Sequence, residues 1–192
     1  MKVVTMGLMS FTNMYFIEYN LLTAAAVVSI LPILVIFVVL QRWVVQAVVM
    51  SGLNMDRVTW PSIAHAASQR AFEETVNFTR NRKAFGQPII DFQNSRFKLA
   101  EMKTELAVGR AFLDDVIRDF IITGQLDTTR CAMAKMWLPE MEARIIDQCV
   151  QLHGGAGYMD EYPVSRLYTA ARLHRIFAGS AEIMRLMVGR TI

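Results

Sequence analysis

Cysteine and histidine are too sparse in this chain to suggest metal or redox chemistry. Its two cysteines, Cys131 and Cys149, lack the C-x-x-C spacing and the neighbouring histidines of a zinc site or a redox pair, and a reducing compartment fits them. His65, His153 and His174 show no ligand spacing and read as packing or surface residues. No metal site is expected. Long runs of one charge are also missing: the net charge is +3 with basic residues scattered among acidic ones, so there is no stripe for a nucleic-acid backbone. Internal repeats, low-complexity tracts and useful stretches of strand periodicity are absent too, which leaves helices as the dominant element.

Apolar residues are what the chain has in excess, at 54%, and they are unevenly placed. Residues 21–40 carry no charge and contain Pro32, and a run of that length is enough to cross a bilayer as a helix. Gln41, Arg42 and Trp43 make an interfacial ending, with Arg42 favouring a cytoplasmic C-terminal side. Residues 4–53, with Gly7-Leu8-Met9-Ser10-Phe11 and Leu40-Gln41-Arg42-Trp43, look like the last membrane span and tail of a sugar-type ABC transporter permease. That resemblance implies a permease-like segment at 1–52, joined near Met50–Leu53 to a second domain at 53–192. The second domain would be cytoplasmic and anchored to the inner membrane through residues 21–40.

The second domain reads as an all-α helical bundle. A first helix is expected over 57–81, with Val58, Ile63, Ala67, Ala71, Phe72 and Phe78 as its apolar positions and Pro61 in its first turn. It gives way at Lys83–Gly86, and Pro88 forbids its continuation. A second helix over 91–123 spaces Leu99, Met102, Leu106, Gly109, Leu113, Val116 and Phe120 by threes and fours, an apolar seam that needs helix partners. Gly124 is a stop signal, and Asp127, Thr128 and Thr129 are N-cap candidates for a third helix over 129–153. That helix puts Ala134, Leu138, Met141, Ile145, Cys149 and Leu152 on one face, and Pro139 predicts a kink or local break. Helices over 164–175 and from a Ser180 cap to Arg190 complete the bundle.

Three blocks interrupt the helices. The first is Arg82-Lys83-Ala84-Phe85-Gly86-Gln87-Pro88-Ile89 with Phe92-Gln93; the second is Gln151-Leu152-His153-Gly154-Gly155-Ala156-Gly157-Tyr158; the third is Ala178-Gly179-Ser180-Ala181-Glu182. In this order and at these spacings they resemble the C-terminal helical domain of the acyl-CoA dehydrogenase family. The resemblance implies FAD held between this domain and a central β-domain, and touched also by a neighbouring subunit's helical domain. It further implies an acyl-CoA substrate, an electron-transfer flavoprotein as acceptor and a homo-oligomer, dimer or tetramer.

Carried over block by block, Arg82 would meet the flavin pyrophosphate, and Phe85 and Gln93 would line the same cofactor. Gln151, Gly154 and Gly155 would follow its adenine-ribose end across the subunit interface, while Ser180 and Glu182 would sit beside the flavin phosphates and ribitol. The family's reaction takes an α-proton to a carboxylate while the β-hydride moves to flavin. One family position for that base is Ala178 here, which has no carboxylate. The other precedes an arginine at the start of the first bundle helix, which makes Asp56 the catalytic candidate and Arg57 the substrate-side one. Members using the second position usually carry Glu, so Asp56 is shorter by one methylene. The competing reading is a membrane-tethered bundle that only oligomerises, or a permease fragment with a passenger.

Overall fold

The structure, a computed structural model, describes residues 27, 29, 30 and 32 and the continuous run 55–192. Backbone contacts divide the chain into two units, Met1–Ser51 and Gly52–Ile192. In the first unit Val27, Ser29, Ile30 and Pro32 have helical backbone. The rest of the expected span at 21–40, and of the permease-like stretch at 4–53, lies outside the described residues. Among the described residues no helix is long and apolar enough to cross a membrane.

The second unit is helical. Helix α1 occupies residues 55–81. A two-residue hairpin follows, β1 (Lys83–Ala84) paired antiparallel with β2 (Gln87–Pro88), and then a 3₁₀ turn at Ile89–Asp91. Helix α2 is Gln93–Thr123, α3 is Thr128–His153, α4 is Pro163–His174 and α5 is Ala181–Gly189. A second 3₁₀ turn, Gly154–Tyr158, lies between α3 and α4. The hairpin was not foreseen, since two residues per strand leave no period to read.

Helix ends follow the capping residues. Gly124 closes α2 at φ 69°, the left-handed geometry that glycine adopts without strain. Asp127 caps α3 by accepting from Arg130 N at 2.8 Å, and Ser180 caps α5 through Ile183 N at 3.5 Å. Of the kink or local break expected at Pro139, the break does not occur; α3 continues through it, with the proline buried in the core.

Helix α3 is the centre of the bundle, packing on α2, α4 and α5. Leu99, Met102, Leu106, Gly109 and Leu113 are buried along α2 as the seam predicts and meet Ala134, Leu138, Met141, Ile145 and Cys149 of α3, while Val116 packs with Val58 and Cys131 and the seam's Phe120 is only half-buried. Gly109 permits the approach: a Cβ there would stand 2.8 Å from Met141 Sδ and 3.0 Å from Leu138 Cδ2, inside van der Waals contact.

The expected apolar face of α1 is right at Val58 and Ala71, which are buried, and wrong at Ile63, which is exposed; Ala67, Phe72 and Phe78 are half-buried, and the buried stripe also takes in Pro61, Ala64, His65, Ser68, Thr75 and Thr79. The hydroxyls of Ser68, Thr75 and Thr79 donate to the carbonyls of Ala64, Ala71 and Thr75 at 2.7, 2.7 and 2.8 Å. A hydroxyl satisfied inside its own helix can be buried without an unmet bond. Helix α1 is already helical at residue 55, so Pro61 falls in its second described turn and not its first. His65 Nε2 meets the carbonyl of Leu106 at 3.0 Å and ties α1 to α2.

Candidate functional site

The structure gathers the sequence candidates at the two ends of α1. A 27-residue helix rises about 1.5 Å per residue, so the two groups lie about 40 Å apart along it.

At the C-terminal end of α1, Arg82 leads into the hairpin, where Ile89 N donates to the Arg82 carbonyl at 2.9 Å. Phe85 and Gly86 at the tip have φ of 51° and 83°, the pair of left-handed residues that a tight hairpin requires. That geometry holds Phe85 out in solvent, 98% exposed, an unusual position for so large an apolar side chain. The Arg82 guanidinium is exposed, and among the described residues it takes no hydrogen bond or ion pair. Gln93 is exposed at the start of α2, just past Phe92.

The glycine block lies against this end. Phe78 stacks on His153 with ring centroids 4.2 Å apart and meets Tyr162 edge-on at 6.0 Å. Arg82, His153 and Tyr162 line one cleft of about 350 Å³, so the first and second blocks share a wall. His153 Nδ1 is 2.8 Å from the Cys149 carbonyl; burial holds its pKa below the ordinary value, against the pull of that carbonyl and of Glu74. The glycines here differ in purpose. Gly154 needs its identity for backbone reasons, at φ 61° and ψ −140°. A Cβ at Gly157 would lie 2.7 Å from the Val150 carbonyl. Gly155 has an ordinary φ and open space around it, so nothing inside this chain requires glycine there. Its exposed backbone and that of Gly154 leave room for an external group.

At the N-terminal end of α1, Asp56 is exposed and Arg57 is buried. One turn on, Trp60 packs edge-on against Phe177 at 4.1 Å and near His174 at 6.0 Å, which joins this end to the third block. Ala178 has φ 55° and Gly179 φ 98°. A Cβ at Gly179 would stand 2.6 Å from Met184 Cε. Ser180 and Glu182 open α5; Glu182 is exposed, and its carboxyl is held below the usual range by its own backbone N–H and by the Ser180 hydroxyl.

Beneath that block lies a group of residues that the sequence reading missed. Lys135 and Glu142 of α3 are almost fully buried. Lys135 Nζ donates to the His174 carbonyl at 2.6 Å and lies 5.6 Å from the Phe177 ring centroid. His174 Nδ1 sits 2.8 and 3.0 Å from the two Glu142 oxygens. Burial pushes Glu142 up to about 8, against the Lys135 charge, and lowers Lys135 and His174. A proton held between the carboxyl and Nδ1 satisfies both partners in either tautomer. The signal was available: Lys135 and Glu142 are seven residues apart and in phase with Leu138 and Met141, so they fall on the core face. His174, read as packing or surface, is a buried partner in this group.

A larger cleft lies elsewhere, about 1140 Å³ between α3 and α4. None of the sequence candidates lines it, and several of its charges are already engaged: Arg144 with Glu105 at 2.9 Å, and Glu140 with Arg185. Size alone does not make it the site.

These features define a helical domain with two separate clusters of candidate residues: a cation and open glycine backbone at one end, a capped helix start and a left-handed turn at the other. The chain belongs to the acyl-CoA dehydrogenase family. The family described as acyl-CoA dehydrogenase, C-terminal domain, matches residues 46–192. The chain is 42% identical over 143 residues to the long-chain specific acyl-CoA dehydrogenase of Rattus norvegicus mitochondria, covering 74% of this chain and 33% of that protein. It is 37% identical over 145 residues to the mitochondrial isovaleryl-CoA dehydrogenase of Oryza sativa, covering 76% and 35%. The crystal structure of an acyl-CoA dehydrogenase from Geobacillus kaustophilus superimposes with a TM-score of 0.72 at 38% identity, covering 74% of this chain and 37% of that one. The chain thus spans about a third of the length of the curated relatives it matches.

Proposed function

We propose that residues 53–192 are the C-terminal lobe of a FAD-dependent acyl-CoA dehydrogenase. The reaction would be α,β-dehydrogenation of an acyl-CoA thioester, with an electron-transfer flavoprotein as acceptor. The single observation that carries this reading is the meeting of Arg82 with His153 and Tyr162 at one cleft, next in sequence to the open backbone of Gly154–Gly155. An unpaired guanidinium suits a pyrophosphate, which it can hold bidentately. Phe85 and Gln93 would flank the same ligand, and Gln151 and Gly155 would follow its nucleoside end.

The separation of the half-sites bears on assembly. From Trp60, where the third block packs, to Arg82 is about 33 Å along α1, longer than an extended FAD, so Arg82 and Ser180 of one chain would serve two different flavins. That supports a homo-oligomer in which each chain completes its neighbour's site.

Bound flavin would supply the hydride acceptor. The chain's own residues would do the rest. Asp56 would accept the α-proton, Arg57 would lie on the substrate side, and the Ala178 backbone N–H would stabilise charge developing on the thioester oxygen. The test is reduction of bound FAD by acyl-CoA, with the chain complemented by the remaining domains of a relative. Asp56→Asn should abolish reduction and leave flavin bound. Asp56→Glu should speed it by restoring reach, and Ala178→Glu should rescue independently. Full activity of Asp56→Asn would overturn the assignment of the base.

A further inference from the structure

The turn between α4 and α5 holds two consecutive residues in left-handed backbone, and only one of them is glycine. Ala178, at φ 55°, is in a conformation that side-chain-bearing residues seldom adopt unless their surroundings over-determine it. The far side of the turn is fixed by the Ser180 cap and by Ala181 N bonding to the Arg175 carbonyl at 3.2 Å. The near side begins at His174, the last residue of α4. Three contacts converge on that residue: Lys135 Nζ on its carbonyl, Glu142 on its ring, and Trp60 of α1 beside it. Phe177, the residue before Ala178, is wedged between Trp60 and the Lys135 ammonium.

We infer that Lys135, Glu142 and His174 form a buried positioning network that fixes the near end of the 175–180 turn and so sets where the Ala178 backbone N–H points. None of the three touches the proposed ligand; they act through His174 and Phe177. The argument is one of placement. Burying a lysine and a glutamate is costly, and an apolar pair of similar volume would pack α3 on α4 at least as stably. What an apolar pair lacks is direction. A lysine donating to one carbonyl and a carboxyl engaging one ring nitrogen fix the rotation of the last α4 turn, and with it the start of the left-handed pair.

The inference rests on the reading of Ala178–Ser180 as a ligand-facing turn. Its test uses hydrogen exchange, which needs no flavin, so a chain that never bound FAD would sink the functional reading and leave this one standing. Amide exchange of the whole chain is followed at Ile176, Phe177 and Ala181, whose N–H groups close the turn, and at Ile145 and Ile146 in the α3 interior. In His174→Leu the turn amides should exchange about tenfold faster relative to the α3 amides, the change expected when a buried hydrogen-bonding group loses its partner. In His174→Asn, whose amide can still reach the carboxyl, the ratio should return toward the parent value. Glu142→Gln keeps shape and one hydrogen bond and covers the case in which His174→Leu fails to fold; it should loosen the turn by a smaller factor in the same ratio. Equal acceleration at both sets of amides, or none in any variant, would mean that the network is mere packing and would overturn the inference.

Discussion

The two ends of α1 carry motifs of the same family but are held in different ways. The Arg82 end is shaped by backbone: strands of two residues each in a hairpin, left-handed Phe85 and Gly86, and open space around Gly86, Gly154 and Gly155. Its chemically useful groups face outward and are little engaged within the chain. The Ala178 end is shaped from below. A lysine, a glutamate and a histidine are buried under it, two aromatic rings pack on it, and a Cβ at its glycine would strike Met184. On the proposed function, the first end would share a neighbour's ligand and gain from open space, whereas the second would aim one N–H and need bracing. If so, damage at the braced end should register as lost stability, and damage at the open end as lost binding.

The largest expected effect is Glu142→Ala. Removing a side chain with no exposure leaves a cavity and an unmatched Nδ1, which together cost about 3 kcal/mol. Denaturant unfolding followed by far-UV circular dichroism measures it. A loss below about half a kcal/mol, the range of surface substitutions, would erase the contrast between the ends.

A smaller effect sharpens the same contrast through pH. Glu142 is raised from 4.5 to about 8 in the fold, so between those values the folded state binds more protons at this group than the unfolded chain does. The stability linked to Glu142 is then fully present below about 4.5 and is lost as pH rises toward 8. His174 works the other way: its pKa is lowered from 6.5, so its contribution is present above that value and lost as pH falls. The clean window lies between 6.5 and about 8, where Glu142 alone of this pair titrates. Across it the parent chain should lose stability relative to Glu142→Gln in parallel denaturant titrations. A constant difference would mean that the buried carboxyl keeps an ordinary pKa.

How much of this was legible in the sequence depends on how each residue hides its polarity. The α2 seam and the caps at Gly124, Asp127 and Ser180 could be read directly, because apolar spacing and capping chemistry are local. The buried face of α1 could not, because Ser68, Thr75 and Thr79 meet their hydrogen-bonding needs within their own helix and then pack as small apolar residues would. Lys135 and Glu142 were overlooked for a related reason: charge suggests surface unless a partner is known, and their partner is on a helix 32 to 39 residues further on. The blocks themselves were visible as interruptions of helix. Their division between two ends emerges only once α1 is seen to run unbroken between them.

The smallest effect on stability, and the most telling, is expected at the glycines. Gly179→Ala places a Cβ 2.6 Å from Met184 Cε at φ 98°. The methionine end can move, but the backbone strain remains, for a cost of about 1 to 2 kcal/mol. Gly155→Ala adds the same methyl where nothing lies within 4 Å, and its unfolding free energy should stay within about half a kcal/mol of the parent. Flavin retention in the complemented assembly should invert that order. The methyl at residue 155 would stand in the space assigned to the cofactor's nucleoside end, so Gly155→Ala should lose FAD while remaining folded. If Gly155→Ala kept its flavin, the open backbone at that end would be a surface without a ligand, and Arg82 would be a solvated cation at a helix end.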